Sequence, residues 1–480
     1  MAQYVVPSKY YFRLHHVRPR FKNNLENVLL YVATRISECG EKGKEEFITQ
    51  LNQALRAFPG NITLTQKTID NWRTEISSLF GFIITDMASG KMAPSSIAQK
   101  LAESSDLISF FKFFCYSFQY PGGHIKNEQA AEMIEKGINF QPAAYILDLL
   151  GYMDDYGRRF WITKEEATHC LFNDLRVTTG ERSPAQAGQL IKANREAGLT
   201  YNSQGDVIRY AGDILDYMYQ ANLLLKRGKK YYLNQSEMES IAYIIQNKNV
   251  SRFTGYDRFY GTQTQASDLR NIREEWFYFL SDLAGRTTFS TDIASFLNID
   301  QVQIEKLSKI EELSNEFQAD LAERRKLLVT KEIGDYGEAL IFGHECERLK
   351  LGGRLDLIHK VAIIPNKFAI GYDIRSFEAM KTDELQRYIE VKTTISNTLI
   401  DFNRFNMSSN EWNTANTLKN RYFVYRLNVS RASTKLKIIQ DPLANYHEHK
   451  LEMVVLSTGG VEIKLNAGCG KDAAVLQWSG

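Results

Sequence analysis

The apolar pattern of this chain changes its period once, and that change limits the architectures open to it. Up to about residue 332, apolar side chains recur mainly three and four residues apart, the spacing of one helix face. From 334 a helix gives way to short apolar runs: "DLIHKVAIIP", "FAIGYDIRSF", "RYIEVKTT", "RYFVYRLNV", "KLKIIQDP" and "EMVVLST". A polar helix, "SSNEWNTANTL", interrupts them. A helical part followed by a part built on one mixed sheet is the expected layout.

Length agrees with more than one domain. At about 100–200 residues per domain, the 480 residues imply three or four. The expected boundaries are a helical, winged-helix-like module at 1–125, further winged-helix-like modules at 126–250, a helical connector at 251–332 and an α/β domain at 333–480. Within 301–332 there is no glycine or proline, and Ile304, Leu307, Ile310, Leu313, Phe317 and Leu321 line one face of a long helix. That helix would connect the two parts or pair with a copy of itself.

The helical part has local detail. "TLTQKTIDNWRTEISSLFGFI" has a polar start followed by Ile69, Trp72, Ile76, Leu79 and Phe80 at helical spacing. Thr163 with Glu166 three residues on is a capping box, and "SPAQAGQLIKANREAGL" opens with proline in its first turn. "DVIRYAGDILDYMYQANLLLKRGKKYYL" reads as a helix, a basic turn at Gly228 and a strand from Lys230 to Leu233. Helix, Lys/Arg-Gly turn and strand have the pattern of a winged helix, and "YGRRFWIT" has the pattern of another wing. Winged helices hold DNA, yet they also serve protein contacts, and helical modules with hairpins need do neither. For DNA the candidate phosphate contacts are Arg158, Arg159, Lys192, Arg195, Lys226, Arg227, Lys229 and Lys230. Each is also a plain candidate for solvated surface.

Charge does not choose between these readings, because 59 Lys+Arg face 57 Asp+Glu. The five cysteines are scattered, with no metal-ligand spacing, which points to a reducing compartment. "MAQYVVPSKYYFRLHHVRPRF" lacks the apolar core of a signal peptide, and no window approaches 18 uninterrupted apolar residues. A cytoplasmic protein is the expectation.

Chemistry concentrates in "GYDIRSFEAMKTDELQRYIEVKTT", residues 371–394. On a strand, Glu390 and Lys392 share one face and Val391 takes the other. If the two apolar runs form a hairpin, Asp373 comes beside Glu390. Two carboxylates and a backbone carbonyl, that of Val391, make an all-oxygen site suited to Mg²⁺, with Mn²⁺ able to substitute. Such an ion offsets the two like charges, holds a phosphate oxygen and acidifies a water. Lys392 would orient that water or stabilise charge building on phosphorus. Upstream, Glu338 and Glu345 lie seven apart on one helix face, and Glu338 could reach the same cluster. Alone, Glu-Val-Lys is a common solvated strand face, as Glu448-His449-Lys450 is expected to be.

In combination, "GDYGEALI", "GYDIRSF", "IEVKTT", "SSNEW" and "YFVYRL" resemble the PD-(D/E)xK nuclease superfamily. The closer resemblance is to the restriction-endonuclease-like domain at the C-termini of bacterial defence proteins. It covers about residues 330–445. It implies that Asp373 and Glu390 are metal carboxylates, Lys392 the catalytic lysine and Glu338 the helix-borne acid. Tyr372 stands where the motif has proline. Glu411 would cap the helix opened by Ser408, Trp412 and Tyr422 would pack the core, and Arg426 is a candidate phosphate contact. The layout also resembles type II restriction endonucleases with N-terminal recognition modules. The resemblance implies a Mg²⁺-dependent endonuclease acting on double-stranded DNA, leaving 5′-phosphate and 3′-hydroxyl ends. One active site cuts one strand, so a double-strand break needs a homodimer or a partner subunit. The alternative is a DNA-binding or scaffold subunit of a defence complex whose nuclease fold does not cleave. An RNA nuclease is disfavoured, since no aromatic-rich RNA motif is present.

Overall fold

The computed structural model describes residues 2–19, 25–58, 61–104, 106–151, 160–289, 333–364, 371–379, 384–397, 400, 403–430, 433–456 and 460–478. The chain divides into two compact units. Met1–Glu103 and Leu107–Phe289 form the first, and Ser104–Asp106 with Ser290–Gly480 form the second. The helix expected over 301–332 lies outside the described residues.

The first unit opens with helix α1 (Leu25–Cys39), strand β1 (Lys42–Gly43), helices α2 (Lys44–Arg56) and α3 (Gln66–Phe80), and the hairpin β2 (Ile83–Thr85) and β3 (Lys91–Pro94). The strands form an antiparallel sheet in the order β1-β3-β2. Thr65 starts α3 by accepting the Thr68 N–H at 3.3 Å, and Gly81, at φ +68°, ends it in the left-handed conformation that glycine adopts most easily. The five apolar positions read from the sequence are all buried.

A second helix-and-hairpin module repeats the plan. It contains strand β4 (Trp161–Ile162), helices α5 (Pro184–Glu196) and α6 (Arg209–Gln220), and hairpin β5 (Leu224–Arg227) and β6 (Lys230–Leu233). The expected cap is present at Thr163/Glu166, and the structure adds a second capping box at Ser183/Gln186. One expectation changes. "FWIT" does not build a separate wing: Trp161 and Ile162 pair with Tyr232 and Tyr231, giving one sheet ordered β4-β6-β5. A two-residue strand has too few hydrogen bonds to stand alone and takes the open edge of the hairpin.

Residues 251–289 also belong to this unit, instead of standing apart as a connector. The helix Ile272–Arg286 buries Trp276, Phe277, Leu280 and Leu283. Its Arg273 donates to the Gly123 carbonyl at 3.0 Å and to Ser78 Oγ at 2.7 Å. At the centre of the unit is helix α4 (Leu107–Ser117), every residue of which except Ser109 is buried. It carries Lys112 into the interior, where Nζ lies 2.7 Å from Glu237 Oε2. Asn222 Nδ2 donates to the other Glu237 oxygen at 2.7 Å.

The second unit is a mixed six-stranded sheet with helices on both faces. Helix α7 (Ile333–Leu351) precedes strands β7 (Ala362–Ile363), β8 (Ile374–Phe377), β9 (Gln386–Ser396) and β10 (Arg404–Met407). Helix α8 (Ser409–Leu418) leads to β11 (Tyr422–Ser430), β12 (Thr434–Gln440), β13 (Leu451–Val455), β14 (Val461–Leu465) and β15 (Lys471–Ala473). The main sheet is ordered β15-β12-β11-β9-β8-β7, and only β9 and β11 run parallel. That parallel pair needs a crossover, and β10 with α8 occupies it. A smaller sheet, β10-β14-β13, completes the unit.

Among the described residues no helix is long and apolar enough to cross a membrane, and all five cysteines are buried and free.

Lys112→Ala strands Glu237 as an uncompensated buried charge. It should cost about 3–5 kcal/mol in urea unfolding followed on the helical signal. A loss under about 1 kcal/mol, the range of an exposed pair, would show that the pair is not what holds α4 in place.

Candidate functional site

Strand pairing assembles the charged cluster. β8 and β9 run antiparallel with Ile374 opposite Ile389, so continuing the register sets Asp373 opposite Glu390. The Asp373 N–H donates to the Ile389 carbonyl at 2.9 Å. In return, Asp373 Oδ2 accepts the Val391 N–H at 2.7 Å. The Asp373 carboxyl is thus held at the strand end, in contact with that of Glu390.

Lys392 follows on the same face. Its Nζ lies 2.7 Å from Glu390 Oε1 and 2.8 Å from Glu411 Oε2. Glu411 is the third residue of α8. There it forms a capping box, with its N–H on Ser408 Oγ at 3.2 Å and its Oε2 accepting the Ser408 N–H at 3.1 Å. The cap was legible from "SSNE"; the link to Lys392 was not, because it joins a strand to a helix nineteen residues on.

The electrostatics follow from burial. Glu390 is 4% exposed. Desolvation, with Asp373 and Glu411 nearby, pushes it from the ordinary 4.5 to about 8, against the pull of Lys392. Burial also raises Asp373, although the Val391 N–H and Lys392 oppose the shift. Burial disfavours the Lys392 ammonium, but Glu390 and Glu411 more than offset this and hold it charged. Two adjacent carboxyls that both resist ionisation gain from a cation beside them, and Lys392 is one. Were a metal ion to bind, Asp373 and Glu390 would offer it oxygen donors, which suit Mg²⁺ better than zinc. Among the described residues no group of three or more His, Cys, Asp or Glu could hold a metal, so an ion here would need backbone and solvent oxygens as well.

Backbone contacts support the cluster. Gly371 sits at φ +85°, and a Cβ there would meet Thr414 Oγ1 at 2.5 Å and the Asn410 carbonyl at 2.9 Å. Tyr422 donates its hydroxyl to the Gly371 carbonyl at 2.8 Å. The approach to Asp373 is therefore pressed against α8, the helix that carries Glu411.

The other face of β9 is structural. Gly337 of α7 lies so close to Thr393 that a side chain would collide with it. Thr393 and Val391 point away from the face of Glu390 and Lys392, so α7 covers the opposite side of the sheet. Glu338 is half-buried on α7, next to Gly337. Glu345 is fully buried: Arg348 binds both its oxygens at 2.8 and 2.6 Å, and Tyr425 donates to it at 2.8 Å. Although burial alone would raise it, Arg348 holds Glu345 down to about 2. It is a core ion pair, not a member of the cluster. Arg426 also differs from expectation. It is buried, donating to the Lys392 carbonyl at 2.9 Å and Thr394 Oγ1 at 2.5 Å, so it braces β9 instead of facing a phosphate. Trp412 and Tyr422 pack in the core as expected.

The basic candidates of the first unit are placed unequally. Arg158 and Arg159 lie outside the described residues. Arg195 is engaged by Glu166 at 2.7 and 2.8 Å and lies 3.4 Å from the Trp161 ring centre. Lys192 is half-buried on α5. Lys226, Arg227, Lys229 and Lys230 are exposed around the β5–β6 turn, where Gly228 adopts φ +61°. Lys230 Nζ sits 4.0 Å over the Trp161 ring, and Lys226 lies 3.8 Å from Asp216. The hairpin tip is thus a compact basic projection.

Comparison with known proteins bears on both units. Residues 4–277 match the family described as restriction endonuclease BpuJI, N terminal. Residues 337–439 match the family described as protein NO VEIN, C-terminal. A solved structure of the BpuJ1 endonuclease binding domain, in complex with pyrene- and phenanthrene-modified DNA, is similar at 28% identity and a TM-score of 0.51. The similarity covers 57% of this chain and 98% of that one. No curated protein matches the chain.

Glu390 gives a pH test. Its folded-state value lies above its ordinary one, so its contribution to stability is fully present below about 4.5 and is lost as pH rises through about 8. Glu345 acts in a separate window, losing its contribution as pH falls from 4.5 towards 2. In metal-free protein, Glu390→Gln should flatten the decline between pH 5 and 8.5 in denaturant unfolding. Curves that stay parallel to wild type would rule out a buried, raised Glu390.

Proposed function

The chain belongs to the restriction endonuclease BpuJI N-terminal family, and we propose on that premise that it is a site-specific, Mg²⁺-dependent DNA endonuclease of the restriction type. The observation that carries the catalytic half is the buried meeting of Asp373, Glu390 and Lys392. This arrangement supports the PD-(D/E)xK reading of the second unit. The recognition half rests on the family match and on the likeness to a binding domain solved with DNA.

In this reading the two helix-and-hairpin modules are winged helices that hold double-stranded DNA. Their basic tips contact phosphate and set orientation without specifying bases. At the cutting site, Asp373 and Glu390, with the Val391 carbonyl, would hold the ion. When bound, Mg²⁺ supplies Lewis acidity towards the phosphodiester and offsets the two carboxylates. Asp373 is kept in position by the Val391 N–H, and so needs no reorganisation. Lys392 places a positive charge where negative charge builds on the phosphorane oxygens. A water oxygen bonds to phosphorus in line with the 3′ oxygen, whose bond to phosphorus breaks. That oxygen takes a proton, leaving 3′-hydroxyl and 5′-phosphate ends. One such site cuts one strand, so a double-strand break takes a second copy or a partner subunit.

The test uses phage and plasmid DNA, methylated and unmethylated, with Mg²⁺ or EDTA. Wild type with metal should give discrete fragments. Asp373→Ala and Lys392→Ala should cut at least about 10²-fold more slowly while still retarding DNA in a gel. Retardation with no cutting of any DNA would favour a non-cleaving subunit of a defence complex.

The hairpin tip has its own readout. Lys229→Ala with Lys230→Ala should weaken DNA binding at low salt. If both lysines meet phosphate, it should also reduce the slope of log K against log salt by about 2. An unchanged slope would place the contact surface elsewhere.

A further inference from the structure

We propose that Glu411 is a positioning residue, one that anchors Lys392 when a divalent cation takes Glu390 from it. The inference rests on the metal-dependent reading given above. Lys392 has two carboxylate partners, Glu390 at 2.7 Å and Glu411 at 2.8 Å. The first is a candidate metal ligand. A cation bound there would compete for the Glu390 oxygens and repel the ammonium, so a lysine with no other anchor would leave or hold the cation off. Glu411 is built to prevent both. Its Oε2 is fixed by the Ser408 N–H at 3.1 Å, and its backbone is fixed by Ser408 Oγ at 3.2 Å. The first turn of α8 favours a negative charge there. The helix itself is set against the strand that carries the cluster, because Gly371 packs on Asn410 and Thr414. Glu411 therefore does more than cap a helix: its capping geometry fixes where the lysine stands.

The test separates capping from anchoring. Glutamine at this position also completes a capping box, so Glu411→Gln keeps the helix start and removes the charge. Mn²⁺ binding to the full chain would be measured by calorimetry for wild type, E411Q, K392M and the double variant. E411Q should melt at the wild-type temperature and bind Mn²⁺ about three- to ten-fold more weakly, because Lys392 now leans on Glu390 alone. In the K392M background the same substitution should change nothing. Equal weakening in both backgrounds would make Glu411 a ligand and overturn the proposal, as would no weakening in either. A second reading needs no Lys392 variant. At saturating Mn²⁺ the single-turnover cleavage rate of E411Q should stay about ten-fold down with DNA affinity unchanged, and full recovery would overturn the proposal. Wild type that binds no Mn²⁺ would sink the metal reading and this one together, whereas normal binding by both wild type and E411Q sinks this one alone.

Discussion

Two carboxylates cannot both stay ionised at a buried strand end without a positive charge beside them, and the cluster of the second unit is built around that constraint. The β8–β9 register sets Asp373 against Glu390, and both are pushed towards their neutral forms. Lys392 is the charge that the fold itself supplies. It comes from the same strand, two residues on, so the compensation is fixed by the pleat and not by a mobile loop. Once β9 is in register, the three groups have little choice of neighbour.

The same alternation divides the labour of β9. One side carries Glu390 and Lys392 and meets α8. The other carries Val391 and Thr393 and meets α7, with the Glu345–Arg348–Tyr425 network locking helix to sheet. Each face buries charge, but to different ends. Glu345 is satisfied within the protein and held low. Glu390 shares its cation with Glu411, stands beside Asp373 and is held high. A carboxyl whose protonation is strongly perturbed by burial beside like charges is a common mark of a functional site, whereas one held low by a core ion pair is a mark of structure.

Much of this could be read from the sequence. Short apolar runs located most strands of the main sheet, and the parity of Glu390 and Lys392 required only that β9 be a strand. The caps at Thr163 and Ser408 were explicit in the residues. What failed were features whose partner lies far along the chain. Glu345 reads as an ordinary helix acid until Tyr425, eighty residues later, closes on it. Arg426 reads as a free cation, yet it stands in "YFVYRLNV" with apolar residues on both sides, a hint that it is buried. β10 and β14 escaped because "RFNM" and "VEIKL" are short and half polar, and become strands only within the β10-β14-β13 sheet. Trp161 and Ile162 were recognised as a strand but assigned to the wrong sheet, since sequence proximity does not choose a strand's edge.

The Lys112–Glu237 pair has a practical consequence for anyone dividing this chain. It ties the central helix α4 to a residue beyond the second hairpin, and Arg273 ties the helix Ile272–Arg286 back to Gly123 and Ser78. A fragment that stops at 125 or 235 would leave a buried ammonium without its carboxylate, and one that stops at 250 would bare the pocket that Trp276 fills. The helix-and-hairpin modules are therefore not separable beads. An excised recognition piece has to run to about the end of that last helix, much as the 4–277 span of the family match suggests.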